Sequence, residues 1–393
     1  MELYILDSLF RRIHVIDQYI SLIWTERFQT YGDFQLDIVS KYETRSLLTT
    51  DTYLAMNLSN YIMRIESFED DVDAQGKRLL VIKGRSMEAI LLDRVAKEST
   101  STLTVSPKWT LTNPPADVAR TVFHTVCVTG ALDPGDVIPV VEGILPSLSA
   151  STIPEPLDPI TLDITPTTVY DVISTKICQA WELGFRFLRY DSTGQIYFDI
   201  FAGDDRTSGQ TTLTPVIFGP QLDNLQNTKE LTTIDKAKNV AYVYCNDGFE
   251  MVYPLGVDPT IAGFERRVLV ISATDITSAT TSNVSDALIQ RGNEQLAAAR
   301  MYQGFDGEIS QNSQYVYGRD YNVGDLVEMQ NIDGVANQMR VTEQIFVEDN
   351  QGFRSYPTLT TNAFINTGSW LSWMNNKEWF DLDTDETTWS EQP

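Results

Sequence analysis

The chain is poor in the residues that build disulfides and metal centres. Its 393 residues include only three cysteines, Cys127, Cys178 and Cys245, and two histidines, His14 and His124. The cysteines are odd in number, far apart and outside any C-x-x-C spacing, which argues against structural disulfides and a cysteine zinc site. A zinc hydrolase site would need several carboxylates beside the two histidines. The sequence therefore predicts no bound metal ion and no cofactor.

Positive charge and long apolar runs are scarce as well. Lys and Arg number 29 against 54 Asp and Glu, which gives a formal charge of -25. Proteins that hold a phosphate backbone neutralise it with cations, so this balance argues against stable nucleic-acid binding. No apolar run approaches the roughly 18 residues of a membrane span, and charges interrupt Met1–Ile20 where a signal peptide would be apolar. We therefore expect no membrane span, and synthesis in the cytoplasm.

Catalytic motifs are absent too. The sequence contains no G-x-S-x-G elbow, Walker loop or G-x-G-x-x-G fingerprint. His124 and Cys127 are three apart on a predicted helix, but a cysteine on an apolar helix is more often a core residue than a nucleophile. The pair Asp204 and Asp205 could suit a glycosidase, yet chance acidic pairs are expected among 54 acids. We predict no catalytic residue and no enzyme activity.

One acidic segment partly matches a calcium-binding loop. Asp71, Asp73, Gln75 and Gly76 mimic the first half of an EF-hand. The position that needs a bidentate glutamate is occupied by Ile82, within a predicted strand. An exposed hairpin turn is the favoured interpretation.

The first hundred residues alternate between apolar and polar side chains, which is typical of half-buried strands. The predicted strands are Glu2–Leu6, Arg12–Ile16, Phe34–Ile38, Tyr53–Asn57, Tyr61–Glu66 and Arg78–Lys83. Ser86 stands where it would cap one short helix. Residues 1–100 are therefore predicted to form a β domain.

The middle third changes character. A helix is predicted over Ala116–Val128 after two prolines, and seven prolines from Pro134 to Pro166 indicate a long extended excursion. A second helix is predicted to run to Gly184, followed by a hairpin of Phe185–Tyr190 and Gln195–Phe201. Residues 101–212 are interpreted as an α+β insertion.

From Leu213 the β pattern returns. One long helix interrupts it, with Ser285 as a plausible cap and Leu288, Gly292, Leu296 and Ala299 at helical spacing. Later strands are predicted over Leu326–Gln330, Asn337–Val347 and Gly352–Thr361. Residues 213–362 are predicted to form a second β domain.

The segment from Phe305 to Asp325, FDGEISQNSQYVYGRDYNVGD, carries the most specific pattern. Its pattern residues are Gly307, Ile309, Tyr315, Tyr317, Gly318, Asp320, Tyr321, Gly324 and Asp325, followed by Val327. This spacing resembles a signature of the minor tail proteins, or baseplate (tail-tip) hubs, of long non-contractile-tailed bacteriophages, which are related to the central hubs of contractile tails. In that family a strand pair reading xGxI…YxYGxDYxxGDxV closes a β-barrel that lines the tail channel. The opening of the chain, with SLIWTERF and the Tyr31-Gly32-Asp33-Phe34 turn, is similar to the same family.

The resemblance implies a β-rich α+β fold with two tail-tube-like β-barrel domains and an inserted α+β region. It also implies a structural hub in the virion, at the tail tip, assembled in the host cytoplasm as a homotrimer whose six barrels match a sixfold tube. Such a hub closes the tube, anchors distal fibres or a spike, and lines the DNA exit channel. The expected partners are the distal tail protein, the tape measure protein and fibre or spike proteins, while genomic DNA passes through without specific binding.

Residue roles follow from the same resemblance. Gly318, Asp320, Tyr321, Gly324 and Asp325 are expected to be structural, with glycines at tight turns and Asp325 accepting backbone donors. Glu308, Asp320 and Asp325 are expected to form part of a channel wall whose acids repel DNA.

The last segment, 363–393, is acidic and rich in tryptophan. Trp370, Trp373, Trp379 and Trp389 lie among six acids with few aliphatic residues to form a core. Because tryptophan is favoured at interface centres, we expect this arm to bind a neighbouring protomer or another tail component, the alternative being packing on its own barrel. Two other functions stay open: a carbohydrate-binding adhesin or fibre-anchoring ring, and a wall-degrading enzyme with a carboxylate pair or metal.

Overall fold

A computed structural model describes residues 1–39, 42–72, 78–99, 108–254, 257–278, 283–299, 302–310, 313–330 and 336–361. The strands are β1 (Leu3–Leu6), β2 (Arg12–Ile16), β3 (Ser21–Arg27), β4 (Asp33–Val39), β5 (Tyr53–Met56), β6 (Ile62–Val72), β7 (Arg78–Ser86), β8 (Trp109–Asn113), β9 (Val140–Glu142), β10 (Ile160–Ile164), β11 (Gly184–Arg189), β12 (Ile196–Phe201), β13 (Ile217–Phe218), β14 (Leu225–Thr233), β15 (Val240–Tyr244), β16 (Phe249–Val252), β17 (Val268–Ser272), β18 (Tyr302–Ile309), β19 (Leu326–Gln330), β20 (Ala336–Asp349) and β21 (Gly352–Thr361). The helices are α1 (Tyr42–Leu47), α2 (Pro115–Phe123), α3 (Gln179–Trp181) and α4 (Val284–Ala297), with π-helical segments at His124–Val128 and Asp171–Cys178 and 3₁₀ turns at Met87–Asp93, Pro134–Asp136, Pro220–Leu222 and Gly263–Glu265. Strands dominate and helices are few, which confirms the predicted β-rich α+β class.

The described chain divides into two compact units. The larger consists mainly of Met1–Leu231 and Gln303–Thr361, and the smaller mainly of Thr232–Thr277 and Val284–Tyr302. The boundaries drawn from the sequence at residues 100, 212 and 362 stay a prediction.

A sheet of 13 described strands forms the framework of the larger unit. Its order is β14-β18-β21-β20-β3-β4-β7-β6-β5-β1-β2, with β19 joining β20 to β13. Antiparallel pairing of β20 with β3 sets Phe346 opposite Trp24 and brings the last β segment beside the first. Over the described residues the pairing runs as an open path with β14 and β2 at its edges. Two closed barrels are therefore not confirmed.

The strands predicted at the start of the chain are present. Strands β1 and β2 form an antiparallel hairpin, and β5 and β6 pair on either side of a turn after Met56. The element after β7 differs from prediction, because it is a 3₁₀ turn and Ser86 does not cap it. The Ser86 hydroxyl instead accepts a hydrogen bond from the Gly32 backbone N–H at 2.7 Å.

The middle region builds its own core on the hairpin of β11 and β12. Helix α2 begins at Pro115, one residue before the predicted start, and the predicted helix continues beyond Phe123 as the π-helical segment His124–Val128. Phe123 stacks on Phe198 with ring centroids 3.5 Å apart. The second predicted helix is mainly the π-helical segment Asp171–Cys178, and the helical run stops at Glu182, which adopts a left-handed φ of 56°. Gly184 therefore begins β11 rather than closing a helix. The proline-rich excursion includes two short strands, β9 and β10.

The smaller unit is a three-stranded sheet, β16-β15-β17, with α4 on one face. Gly292 lets the helix approach β16, because a Cβ at this position would lie 2.5 Å from Val252 Cγ2. Ser285 lies within α4 rather than before it, so it is not the predicted cap. Its hydroxyl donates to Glu250 Oε1 at 2.6 Å and ties the first turn of the helix to β16.

Candidate functional site

The signature segment begins in β18 and ends in a turn that leads into β19, and these two strands do not pair with each other. Strand β18 pairs with β21, and β19 pairs with β20. Residues Tyr315–Asp325, called the signature turn below, bridge the two flanking segments. The strand-pair expectation is therefore corrected.

Asp325 ends the signature turn and joins it to the end of the middle region. Its Oδ1 accepts the Asp204 N–H at 2.9 Å, and its Oδ2 accepts the Asn322 N–H and the Arg206 Nε–H, each at 2.9 Å. The side chain is 3% exposed. Burial raises the pKa of Asp325 to about 6, while the Asp204 N–H and Arg206 oppose the rise. The expected acceptance of backbone donors is therefore seen in the structure.

Gly324 makes a close backbone approach that no other residue could make without strain. Its φ is +98°, and a Cβ would lie 2.7 Å from Phe201 and 2.8 Å from Phe28. A Cβ on Gly203 would collide with the Gly324 carbonyl. Arg340 completes this contact, since its Nη1 donates to the Gly324 carbonyl at 2.5 Å.

The other signature residues hold the turn in shape. Asp320 Oδ2 accepts the Val316 N–H at 2.7 Å and pairs with Arg319. Tyr321 is buried and donates to Gln344 Oε1 at 3.0 Å. Gly318 has a φ of +81° and open space where a Cβ would be. Its requirement is therefore one of backbone conformation alone.

A buried group of charges lies where the signature turn meets β3. Glu26 is 1% exposed and accepts a hydrogen bond from the Tyr317 hydroxyl. Glu88, also 1% exposed, accepts the Phe187 N–H at 2.7 Å. Burial raises the pKa of each glutamate to about 7, and the Glu88 charge adds to the rise at Glu26.

The sequence analysis missed this buried group. Trp24 and Glu26 on β3, and Phe28 just after its end, fall at the spacing of two that puts side chains of an extended chain on one face. Trp24 and Phe28 are buried. The acidic residue Glu26, at an inward-facing position between them, was the signal in the sequence that could have revealed the buried group.

A cavity of about 290 Å³, with both polar and apolar side chains in its wall, opens beside Glu26. Arg186 in its wall pairs with Asp199 at 3.0 Å across the β11–β12 hairpin. The Glu26 Oε1 and the Arg186 Nε are both buried without a hydrogen bond of good geometry to any described residue. The wall also contains amide and guanidinium groups and apolar side chains, from Asn57, Asn60, Arg319 and Asn322 and from Leu58, Leu148, Leu188 and Val323.

The other sites weighed from the sequence do not assemble. His124 Nδ1 lies 2.7 Å from Glu142 Oε2, and burial raises the pKa of Cys127 to about 12, so this thiol is protonated and inert near neutral pH. Asp204 accepts the Thr152 N–H from the proline-rich excursion, 52 positions away, and Asp205 accepts the Thr207 N–H within a local turn.

The segment that partly matches an EF-hand also lacks a ligand at its last position in the structure. Ile82 lies in β7 with none of its surface exposed, while the loop residues 73–77 lie outside the described residues. Among the residues that the structure describes, no group of three or more His, Cys, Asp or Glu side chains is placed to hold a metal ion. No helix in that part of the chain is long and apolar enough to cross a bilayer.

The expected channel residues differ in placement. Glu308 and Asp320 are partly exposed, whereas Asp325 is buried and its carboxylate has three donors inside the fold. Asp325 therefore has no surface to present to a channel, and this part of the expectation is corrected. The four C-terminal tryptophans, Trp370, Trp373, Trp379 and Trp389, lie outside the described residues.

Comparison with known proteins finds a family that matches almost the whole chain. A family model described as Siphovirus ReqiPepy6 Gp37-like protein matches residues 2–359. None of the curated proteins matches the chain.

Three solved structures share the fold over nearly the full length. The 43 kDa tail protein of prophage MuSo2 from Shewanella oneidensis is 13% identical, with 92% of this chain and 99% of that chain covered and a TM-score of 0.55. A tail protein from Neisseria meningitidis MC58 is 14% identical, with 92% and 97% covered and a TM-score of 0.56. The prophage tail protein gp18 of Listeria monocytogenes EGD-e is 11% identical, with 96% and 98% covered and a TM-score of 0.50.

Proposed function

The chain belongs to the Siphovirus ReqiPepy6 Gp37-like family of tail proteins, and from that premise we propose that it is the hub of a phage tail tip. In this role it closes the tail tube, anchors distal fibres or a spike, and lines the exit channel for DNA. The observation that carries the proposal is the family match over residues 2–359, supported by a fold shared with prophage tail proteins along almost the whole chain.

The larger unit is built in a way that suits the wall of a channel better than a ligand-binding cleft. Pairing of β3 with β20 joins the first and last β segments in one sheet, and the signature turn is fixed by Asp325 and Arg340 on buried contacts. Such an arrangement resists shear between the segments, because the ties cross between distant parts of the chain. Two tail-tube-like barrels per chain and a non-enzymatic role are part of this proposal.

Assembly as a homotrimer is the first test. Identical chains that surround a pore close a ring by cyclic symmetry, and three two-barrel chains would meet a sixfold tube. Native mass spectrometry of extracted tail tips should give a copy number that is a multiple of three, and images of the tip should show threefold symmetry. A monomer in intact tails, or a sixfold ring, would contradict the hub.

The charge of -25 supports passage of DNA without adhesion. We place Glu308 and Asp320 on the channel wall. The double variant Glu308→Lys/Asp320→Lys should slow DNA ejection, more so at low salt, because added cations attract phosphate. Asp17→Lys/Asp158→Lys, which makes the same change in net charge at exposed positions, is the control; equal ejection rates for the two variants would reject the wall assignment.

The C-terminal tryptophans complete the proposal as partner-binding residues. Deleting residues 368–393 should leave the described units folded but lower incorporation into tails, because interfaces depend on a few aromatic anchors. Circular dichroism and incorporation are measured together. Unchanged incorporation would favour packing of the arm on its own chain.

A second candidate function, binding of a cell-wall carbohydrate, is supported by the cavity beside Glu26. Its amide and guanidinium groups can pair with vicinal hydroxyls, although its 290 Å³ admits only one small sugar unit. Calorimetric titration with wall saccharides should show binding that Asn322→Ala removes. If no heat of binding is measured and the tip is threefold, the hub remains the single candidate function. Turnover of wall material would instead reveal an enzyme.

A further inference from the structure

The smaller unit has one sheet face without a helix. Side chains of β15 alternate, so Ala241 and Val243 face α4 while Tyr242 and Tyr244 point the other way. In the paired register Tyr242 stands opposite Met251 of β16 and Val270 of β17. On the face opposite α4, Val257 and Ile261 pack with Val240 and Tyr242 and cover part of the sheet. The uncovered part, called the open face below, is defined by the side chains of Tyr244, Phe249, Met251 and Val270, with the partly buried Tyr242 between them.

The open face is apolar and exposed within the described chain. Tyr244 is 43% exposed, Phe249 52%, Met251 48% and Val270 65%. These side chains are neighbours across three strands, so they form one patch rather than scattered single residues. A contiguous patch of this kind marks an interaction surface.

A cation stands at one side of this face. The Arg266 guanidinium donates to the hydroxyls of Tyr242 at 3.0 Å and Tyr253 at 3.3 Å, and to the Ile261 carbonyl at 2.9 Å. It also lies over both tyrosine rings, 5.6 and 5.7 Å from their centroids. Its charge is met by neutral groups in the described structure, not by a carboxylate. The open face therefore complements a ligand that is both aromatic and acidic.

One segment of this polypeptide has that chemistry. Residues 362–393 carry four tryptophans, six acids and a single base, Lys377. They follow β21, and 32 residues of extended chain reach about 110 Å, so the tether does not limit where they bind. Indole rings bury large apolar area and stack on guanidinium groups.

We propose that the open face of the smaller unit is the docking site for the tryptophan-rich C-terminal segment, residues 362–393. Indoles cover Phe249, Met251 and Val270, and acidic side chains pair with Arg266. This inference rests on the proposed role of the segment as a docking arm, it holds whether the open face belongs to the same or to a neighbouring protomer, and it is independent of the hub assignment.

The first experiment measures how far acrylamide quenches the fluorescence of the C-terminal tryptophans. The chain has seven tryptophans, four of them in the segment. Subtracting the spectrum of a chain truncated after Thr361 from that of the intact chain isolates those four. In the intact chain they should be protected relative to a free peptide of residues 362–393. Equal quenching in the two would overturn the proposal.

The second experiment asks whether the open face provides the protection. Phe249→Ser/Val270→Ser should raise quenching of the segment toward the free-peptide value, whereas Leu157→Ser, which removes an exposed leucine from the larger unit, should not. Protection that survives the double variant would mean that the segment docks elsewhere, and would also overturn the proposal.

The third experiment adds the peptide in trans to the truncated chain. Binding should be lost for a scrambled peptide and weakened by Arg266→Gln, with the loss greater at low salt than at high salt. Equal binding of the native and scrambled peptides would reject a specific site. The native mass of the same samples reports separately on trimer formation, so failure of the docking site and failure of the hub are distinguishable.

Discussion

The signature turn and the open face differ in whether their side chains are buried and paired within the described chain. At the turn, Asp325 has three donors and Gly324 is enclosed by aromatic rings, so the groups that define the pattern are used inside one chain. On the open face, Phe249 and Val270 remain exposed although they lie on regular strands. A residue pattern that is satisfied internally fixes the fold, whereas an apolar surface that is left uncovered indicates something still to be bound. Substitutions should therefore cost stability at the turn and binding at the face.

The largest effect is expected for Asp325→Ala. Removing this carboxylate leaves the buried Arg206 with only its longer ion pair to Asp204 at 3.2 Å and frees two backbone N–H groups, which should lower the free energy of unfolding by about 3–5 kcal/mol. Asp320→Ala, at a partly exposed ion pair on the same turn, should cost about 1 kcal/mol. Urea unfolding followed by fluorescence compares them. Equal losses would mean that burial does not distinguish the two acids.

Gly324→Ala comes next. Its Cβ meets Phe28 and Phe201 and its φ of +98° is strained for any other residue, so we expect a loss of about 2–4 kcal/mol. Gly318→Ala is the matched control, because its φ is also positive but the space is open; about 1–2 kcal/mol is expected there. A crystal structure of either variant would show whether the turn shifts. Should the two alanines cost the same, the close approach would carry no energy of its own.

Sequence reasoning succeeded where the determinants are local. The hairpin of β1 and β2 and the stripe of α4 containing Gly292 were readable because period and turn chemistry act within a few residues. The Glu26 contact with Tyr317 spans 291 positions, so no local pattern could disclose it.

The candidate site also combines a local feature that the sequence discloses with a distant contact that it does not. The signature identified Asp325 as an acceptor of backbone donors, but its cationic partner Arg206 lies 119 positions away. Alternation also left open which acids face inward, and this is why Asp325 was assigned to a channel wall although the fold buries it.

A smaller effect is expected from pH. Glu26 and Glu88 have pKa values near 7 in the folded chain and an ordinary value of 4.5, so the folded state keeps a proton that the unfolded state has lost. The resulting stabilisation is complete below about pH 4.5 and is lost as pH rises through 7. Stability of the larger unit should therefore fall between pH 5 and pH 8.

Glu26→Gln tests this origin. A neutral amide can still accept from the Tyr317 hydroxyl, so the variant should be more stable than the parent by about 1–3 kcal/mol at pH 8 and nearly equal to it at pH 5. Glu155→Gln, which removes a partly exposed charge paired with Arg120, should not flatten the pH dependence. A parallel shift at both pH values would assign the effect to packing instead of ionisation.

The smallest effect on stability is expected at the open face, where Phe249→Ser and Val270→Ser should each change the unfolding free energy of the truncated chain by no more than about 0.5 kcal/mol. These side chains are already in water once residues 362–393 are removed, so little burial is lost. In the intact chain the same substitutions should cost more, since the docked segment stabilises the folded state through its binding energy. The difference between the two backgrounds, measured as a double-mutant cycle, is the quantity that separates a docking surface from part of a core. A cost that is the same with and without the segment would place both residues in the architecture of the smaller unit, and would erase the contrast with the signature turn.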